Sequence, residues 1–152
     1  MASPFPFTSG QVLTAAQLNG IGETTTFTPS WSAGFTPGNA VENWSYTRVQ
    51  NMVIVNGGTT LGSTSSHTGT IDLTLPVGTT AVDENQPIGM LHYIIPGNDA
   101  AGPVRILTGS SCRFMVWSIG TSYVEPTNSG ASVPATLTNG DQLLVSFAYI
   151  LS

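Results

Sequence analysis

The stretch Leu143-Leu144-Val145-Ser146-Phe147-Ala148-Tyr149-Ile150-Leu151 decides the fold class. Its odd-numbered residues are all large and apolar, and the even-numbered ones between them are apolar or small. A repeat of two belongs to a strand, whose successive side chains leave opposite faces. Val, Phe, Tyr and Ile also suit a pleated, half-buried surface. With apolar side chains on both faces, this strand is expected at the centre of a sheet or beneath a cover.

The chain leading up to it has the same texture. Val104 to Thr108 and Cys112 to Ile119 read as a strand pair, and Ile88 to Ile95 as a dense apolar strand ended by Pro96-Gly97-Asn98-Asp99. Ile71, Leu73 and Leu75 alternate with Asp72 and Thr74 and stop at Pro76, the pattern of a half-buried strand. Trp44 to Val49 and Met52 to Asn56 read as a hairpin around Gln50-Asn51, punctuated by Gly57-Gly58. Short strands divided by Gly, Pro, Asn and Ser turns predict an all-β antiparallel sandwich or jelly roll. It is expected over residues 27–152.

Residues 1–26 differ. Pro4-Phe5-Pro6-Phe7 suits an extended arm that docks its rings on a neighbour. Thr14 and Gln17 then form a capping box, Leu13 and Leu18 a hydrophobic staple, and Gly20 a C-terminal stop. A helix this short is marginal alone and must rest on other contacts. The expectation is an extended N-terminal arm with one short anchoring helix.

Composition narrows the function. Charged residues make up 7% of the 152, against about 25% in an ordinary soluble domain. Eight acids face three bases, all arginine: Arg48, Arg105 and Arg113. Without lysine there is no P-loop lysine, Schiff-base amine or Ser–Lys pair. Three scattered arginines build no basic face for nucleic acid. The single cysteine, Cys112, rules out an internal disulfide. The first residues lack the basic and apolar regions of a signal peptide, and no apolar run nears the roughly 18 to 20 residues of a membrane span. Strand edges are normally protected by charge, above all lysine. A sheet this poor in charge is therefore expected to be covered by neighbouring subunits.

Residues with chemical potential are scattered. His67 sits in a polar loop and His92 in a strand, neither at metal-ligand spacing from a second ligand. No Gly-x-Ser-x-Gly elbow focuses a triad. Asp83-Glu84 and Asp99 read as solvated turn acids rather than a glycosidase pair, and no calcium loop occurs. Cys112 has a cation beside it in Arg113, but it shares a strand face with Phe114 and Val116 and reads as a small core residue. Asn43-Trp44-Ser45 matches a glycosylation sequon, read as coincidence. Trp31, Trp44 and Trp117 suit core packing better than sugar stacking. No catalytic residue, cofactor or metal is expected.

Several of these segments also carry a resemblance. Ser9-Gly10-Gln11-Val12-Leu13-Thr14-Ala15-Ala16-Gln17-Leu18-Asn19 resembles the Gly-Gln-x-Leu-Thr-Ala-x-x-Leu-Asn segment near the start of many tailed-bacteriophage virion accessory proteins. Phe27-Thr28-Pro29-Ser30-Trp31, Gly38-Asn39, Tyr46-Thr47-Arg48-Val49, Gly62-Ser63-Thr64-Ser65 and Leu73-Thr74-Leu75-Pro76 are similar to the same proteins in the same order. Ala40 and Gln50 stand where that pattern has turn glycines. The likeness covers about the first half of the chain.

The resemblance implies a short N-terminal anchor followed by a β-sandwich, often trimeric, on the outer surface of a virion. On that basis the chain is expected to be a non-enzymatic structural protein: a capsid decoration (cement) protein or short head fibre. Phe5, Phe7, Val12, Leu13 and Leu18 would anchor it to the major capsid protein or another virion protein. The β-domain would form a homotrimer. No nucleic-acid partner and no membrane insertion are expected. The alternative is a tail-fibre or receptor-binding module, with Trp117 and Tyr123 facing a host-surface glycan.

Overall fold

The computed structural model describes residues 21–77 apart from 33, 86–119 apart from 109, and 124–151, together with positions 10, 12, 14 and 15. Over these residues the chain is nearly all β, an antiparallel β-sandwich. The strands are β1 (Thr24–Thr26), β2 (Phe35–Thr36), β3 (Val41–Val49), β4 (Met52–Thr60), β5 (Ser66–His67) and β6 (Asp72–Thr74). They continue with β7 (Pro87–Ile94), β8 (Ala100–Thr108), β9 (Ser111–Ile119), β10 (Val124–Asn128) and β11 (Gln142–Ile150). One sheet runs β1-β3-β4-β11-β7-β8-β9-β10, with β6 also on β9, while β2 and β5 form a separate pair.

The C-terminal strand is central, as its sequence requires. β11 pairs with β4 from Gln142 to Ile150 and with β7 from Gln142 to Phe147. Leu143, Val145, Phe147 and Tyr149 all point into the core. The expected hairpin of β3 and β4 turns at Gln50-Asn51, and the pairs β7–β8 and β8–β9 also form.

The sheet closes on itself. Its first end is β1, whose Thr24 to Thr26 pair with Thr47 to Ser45 of β3. At the other end, β6 and β10 share the outer edge of β9, β6 beside Ser111–Arg113 and β10 beside Met115–Ile119. The segment after β1 spans the gap. Phe27 N–H donates to Trp44 O, then Ser32 N–H to Asp72 O, while Ser30 O accepts from Thr74 N–H. Trp31 lies between these last bonds, in a bridge with Leu73. Its ring meets Trp44 of β3 at 5.6 Å and Phe114 of β9 at 5.9 Å between centroids. Two strands from opposite ends of the sheet thus share one indole across the core.

Four differences from the sequence reading have physical causes. Gly57-Gly58 does not end a strand: it lies within β4, because the Trp44 ring occupies the place of a Gly57 side chain. β8 begins at Ala100 and runs straight through Gly102-Pro103. There Gly102 lies against the backbone of Met115 and Val116, with no room for a Cβ. β10 lies in a stretch that the sequence reading leaves unassigned, and its Pro126 fits an edge strand, which tolerates a missing N–H. The sheet also begins before Phe27, because β1 belongs to it. Of the expected arm and helix, Phe5, Phe7, Leu13, Gln17, Leu18 and Gly20 lie outside the described residues, and Ala15 is helical.

Two of the segments quoted for the resemblance, Gly38-Asn39 and Gly62–Ser65, meet in space. Asn39 Oδ1 accepts from Thr64 N–H at 2.9 Å and from its hydroxyl at 2.8 Å, and Asn39 N–H donates back to Thr64 Oγ1 at 2.9 Å. Gly38, at φ +57°, packs directly on Thr64. The Gly38-Asn39 and Gly62–Ser65 turns are therefore one clamp at the end of β3 and β4, and Ala40 closes its turn through N–H to Pro37 O at 2.9 Å.

Candidate contact surface

The outward positions of five adjacent strands carry no charge. The inward residues of β4 and β11, such as Val53, Val55, Leu143 and Val145, fix which parity faces out. Outward on β11 stand Gln142, Leu144, Ser146, Ala148 and Ile150, and beside them on β4 Thr60, Gly58, Asn56, Ile54 and Met52. Across β4, β3 presents Val41, Asn43, Ser45, Thr47 and Val49, and β1 adds Thr24 and Thr26. On the other side β7 presents Met90, His92 and Ile94. None of these is Asp, Glu, Lys or Arg.

The two charged residues within these strands fall on the opposite parity. Glu42 turns inward to accept from Trp31 Nε1 at 2.6 Å. Arg48 lies at the hairpin end, where its Nε donates to Gln50 O at 2.9 Å. Meanwhile large apolar side chains remain exposed on the face: Leu144 at 40%, Met90 at 50% and Val41 at 71%, with Met52 and Ile150 further along. The expected cover over the outward side of β11 does not come from the described part of the chain.

Relief adds to composition. Leu144 stands between two shallow depressions. One, of about 510 Å³, lies toward Val41 and Asn43; the other, of about 440 Å³, lies toward Met90, His92 and Ala101. Gly58, opposite Leu144, leaves the leucine standing above its neighbour on β4. Asn56 accepts from the Ser146 hydroxyl at 2.8 Å, the polar contact in the middle of the face.

The residues singled out from sequence are dispersed. Val12 is exposed, whereas Tyr123, Asp83 and Glu84 lie outside the described residues. Trp117 is 46% exposed on the outward side of β9, with β7 and β8 between it and β11. Trp44 is in the core, and Trp31 packs against it. His92 lies on the charge-free face. His67 is elsewhere, edge-on to Phe35, and burial lowers its pKa.

Three aspartates and Cys112 serve the fold. Asp99 accepts from Ile95 N–H at 2.9 Å, and Asp141 from Thr138 N–H at 2.6 Å, so both close turns. Asp72 receives both Nε and Nη2 of Arg113, at 2.7 and 2.9 Å. Arg113 is thereby committed to the carboxylate rather than to Cys112, and burial pushes the Cys112 thiol pKa up. Among the described residues no three His, Cys, Asp or Glu side chains gather as a metal site.

What sequence reasoning missed is the face itself. The signal was present: every second residue of 41–60 and 142–150 lacks charge, but it becomes visible only when the register aligns the strands. The molecule is thus an all-β sandwich presenting a broad uncharged surface. Compared with known proteins, the chain matches no family model, no curated protein and no solved structure.

Proposed function

We propose that the chain is a non-enzymatic structural protein of a tailed-phage virion, a capsid decoration or cement protein or a short head fibre. It attaches through its N-terminal segment and oligomerises through its β-domain at the outer surface of the particle. The observation that carries this reading is the charge-free outward face of β1, β3, β4, β11 and β7, which exposes Leu144, Met90 and Val41. Such a face suits burial against other protein at roughly 25 cal/mol per Å². The resemblance of residues 9–19 and 27–76 to virion accessory proteins supplies the setting. Asp72, Asp99 and Asp141, each spent on a structural bond, favour a scaffold over a catalyst.

Co-sedimentation tests the reading. Purified protein added to phage particles assembled without it should pellet with them at a fixed copy number per particle. A chain lacking residues 1–20 should stay folded and remain in the supernatant. Pelleting of the shortened chain, or no pelleting of the whole one, sinks the proposal.

A second reading, a receptor- or glycan-binding module at the tail, rests on the exposed Trp117. Saturable binding on a glycan array that is abolished by Trp117→Ala would favour it.

A further inference from the structure

We infer that the charge-free face centred on Leu144 is where copies of this chain meet one another. The inference deepens the self-association in the proposed function and rests on that part of it alone. Three observations point to a second copy as the occupant.

The first is charge. Each chain carries a net −5, so two copies repel at most approaches. Contact across this face buries no ionised side chain, and so escapes the cost of desolvating an unpaired charge. A basic or acidic partner would find no counter-charge here, whereas a second copy offers a surface of the same uncharged chemistry.

The second is shape. Leu144 projects between two hollows of about 510 and 440 Å³. A ridge beside a hollow is self-complementary: Leu144 of one copy can enter the depression beside Leu144 of the next. Asn43 and Asn56 at the same level supply uncharged donors and acceptors.

The third is extent. β3, β4 and β11 are nine residues long, and β7 eight. At about 3.3 Å per residue and about 4.8 Å between strands, the face covers about 600 Å² in projection. That is of the order of the roughly 800 Å² per partner of a stable interface.

Light-scattering mass measurement at high micromolar concentration tests this on the full chain. The unaltered protein should be a multimer. Leu144→Glu and Met90→Glu should each raise the dissociation constant by about a hundredfold or more, because each buries an unpaired charge. Trp117→Glu, outside the face, should leave the mass unchanged. Circular dichroism and melting separate dissociation from unfolding.

A second measurement avoids disruptive substitution. The thiol of Ser146→Cys should be shielded from maleimide in the multimer and react on dilution, with the buried Cys112 silent in both. A monomeric unaltered chain, a multimer that survives both glutamates, or equal labelling at the two concentrations would overturn the inference. Copies that associate through this face yet ignore phage particles would sink the virion reading and leave this one standing.

Discussion

Trp44 on β3 stands directly opposite Gly57 on β4, and the indole ring fills the space that a Gly57 side chain would need. The same indole donates Nε1–H to the buried Thr59 hydroxyl at 3.0 Å. Position 57 is therefore fixed by packing, not by a turn. Gly57→Ala should cost about 2–3 kcal/mol, since overpacking a filled core forces ring or backbone to move. Gly58→Ala meets the flexible tip of Leu144 at 3.0 Å and, in ordinary contact, Leu143 O at 3.7 Å, and should change stability by less than about 0.5 kcal/mol. Urea unfolding of the two variants checks the contrast; equal losses would refute it.

The Trp44–Thr59 hydrogen bond gives a second test. Thr59 is 1% exposed, so no water replaces its hydroxyl when it is removed. Thr59→Val keeps the shape but leaves an indole N–H unpaired in the core. The expected loss is about 1–3 kcal/mol, and Thr59→Ser should recover most of it. Chemical denaturation of the pair reads both values.

At the β3–β4 turn, Gln50 adopts φ +54°, a left-handed conformation that costs a side chain about 1 kcal/mol. Gln50→Gly removes that strain and keeps the Arg48 hydrogen bond, which goes to the backbone carbonyl. The variant should gain about 0.5–1 kcal/mol despite the looser unfolded chain. A lower melting temperature than the parent would contradict this account of the turn.

Alkaline pH provides a test of a different kind. Burial pushes Tyr149 up to about 12 from an ordinary 10.0, and Cys112 rises from 9.0 for the same reason. Above these ordinary values the unfolded chain releases protons that the folded chain retains. Stability from these groups is thus complete below about pH 9 and falls as pH rises. The melting temperature should decline above about pH 9, and Tyr149→Phe should make the decline above about pH 10 shallower. Near neutral pH that variant should lose about 1 kcal/mol, from the hydrogen bond the hydroxyl donates to Val77 O at 2.8 Å.

How legible was this in the sequence? The alternation from Leu143 to Leu151 announced a central strand, because only a strand puts five consecutive odd positions into one core. Ile71, Leu73 and Leu75 behaved likewise. Glycine and proline misled, because the same residue that opens a turn also admits a close neighbour: Gly57 admits Trp44 and Gly102 admits β9. Pro126 sits in the edge strand β10, where the bond it cannot make is not needed. The contact face was invisible because it is a property of register. Val41, Leu144 and Met90 are far apart in the chain and become neighbours only once β4 and β11 align them.

The closure of the sheet by residues 24–32 has a mechanical consequence. A pull applied ahead of Thr24 enters the molecule through that seam. It reaches first the Thr24–Thr26 ladder on β3, then Phe27, and only then Trp31 and the bonds of Ser30 and Ser32 to β6. Because the ladder bonds lie across the strand, a pull along it loads them together rather than one by one. Behind them the Trp31 indole is gripped by Trp44 from one end of the sheet and Phe114 from the other. Tension at the front of the chain is therefore shared by both ends of the sheet.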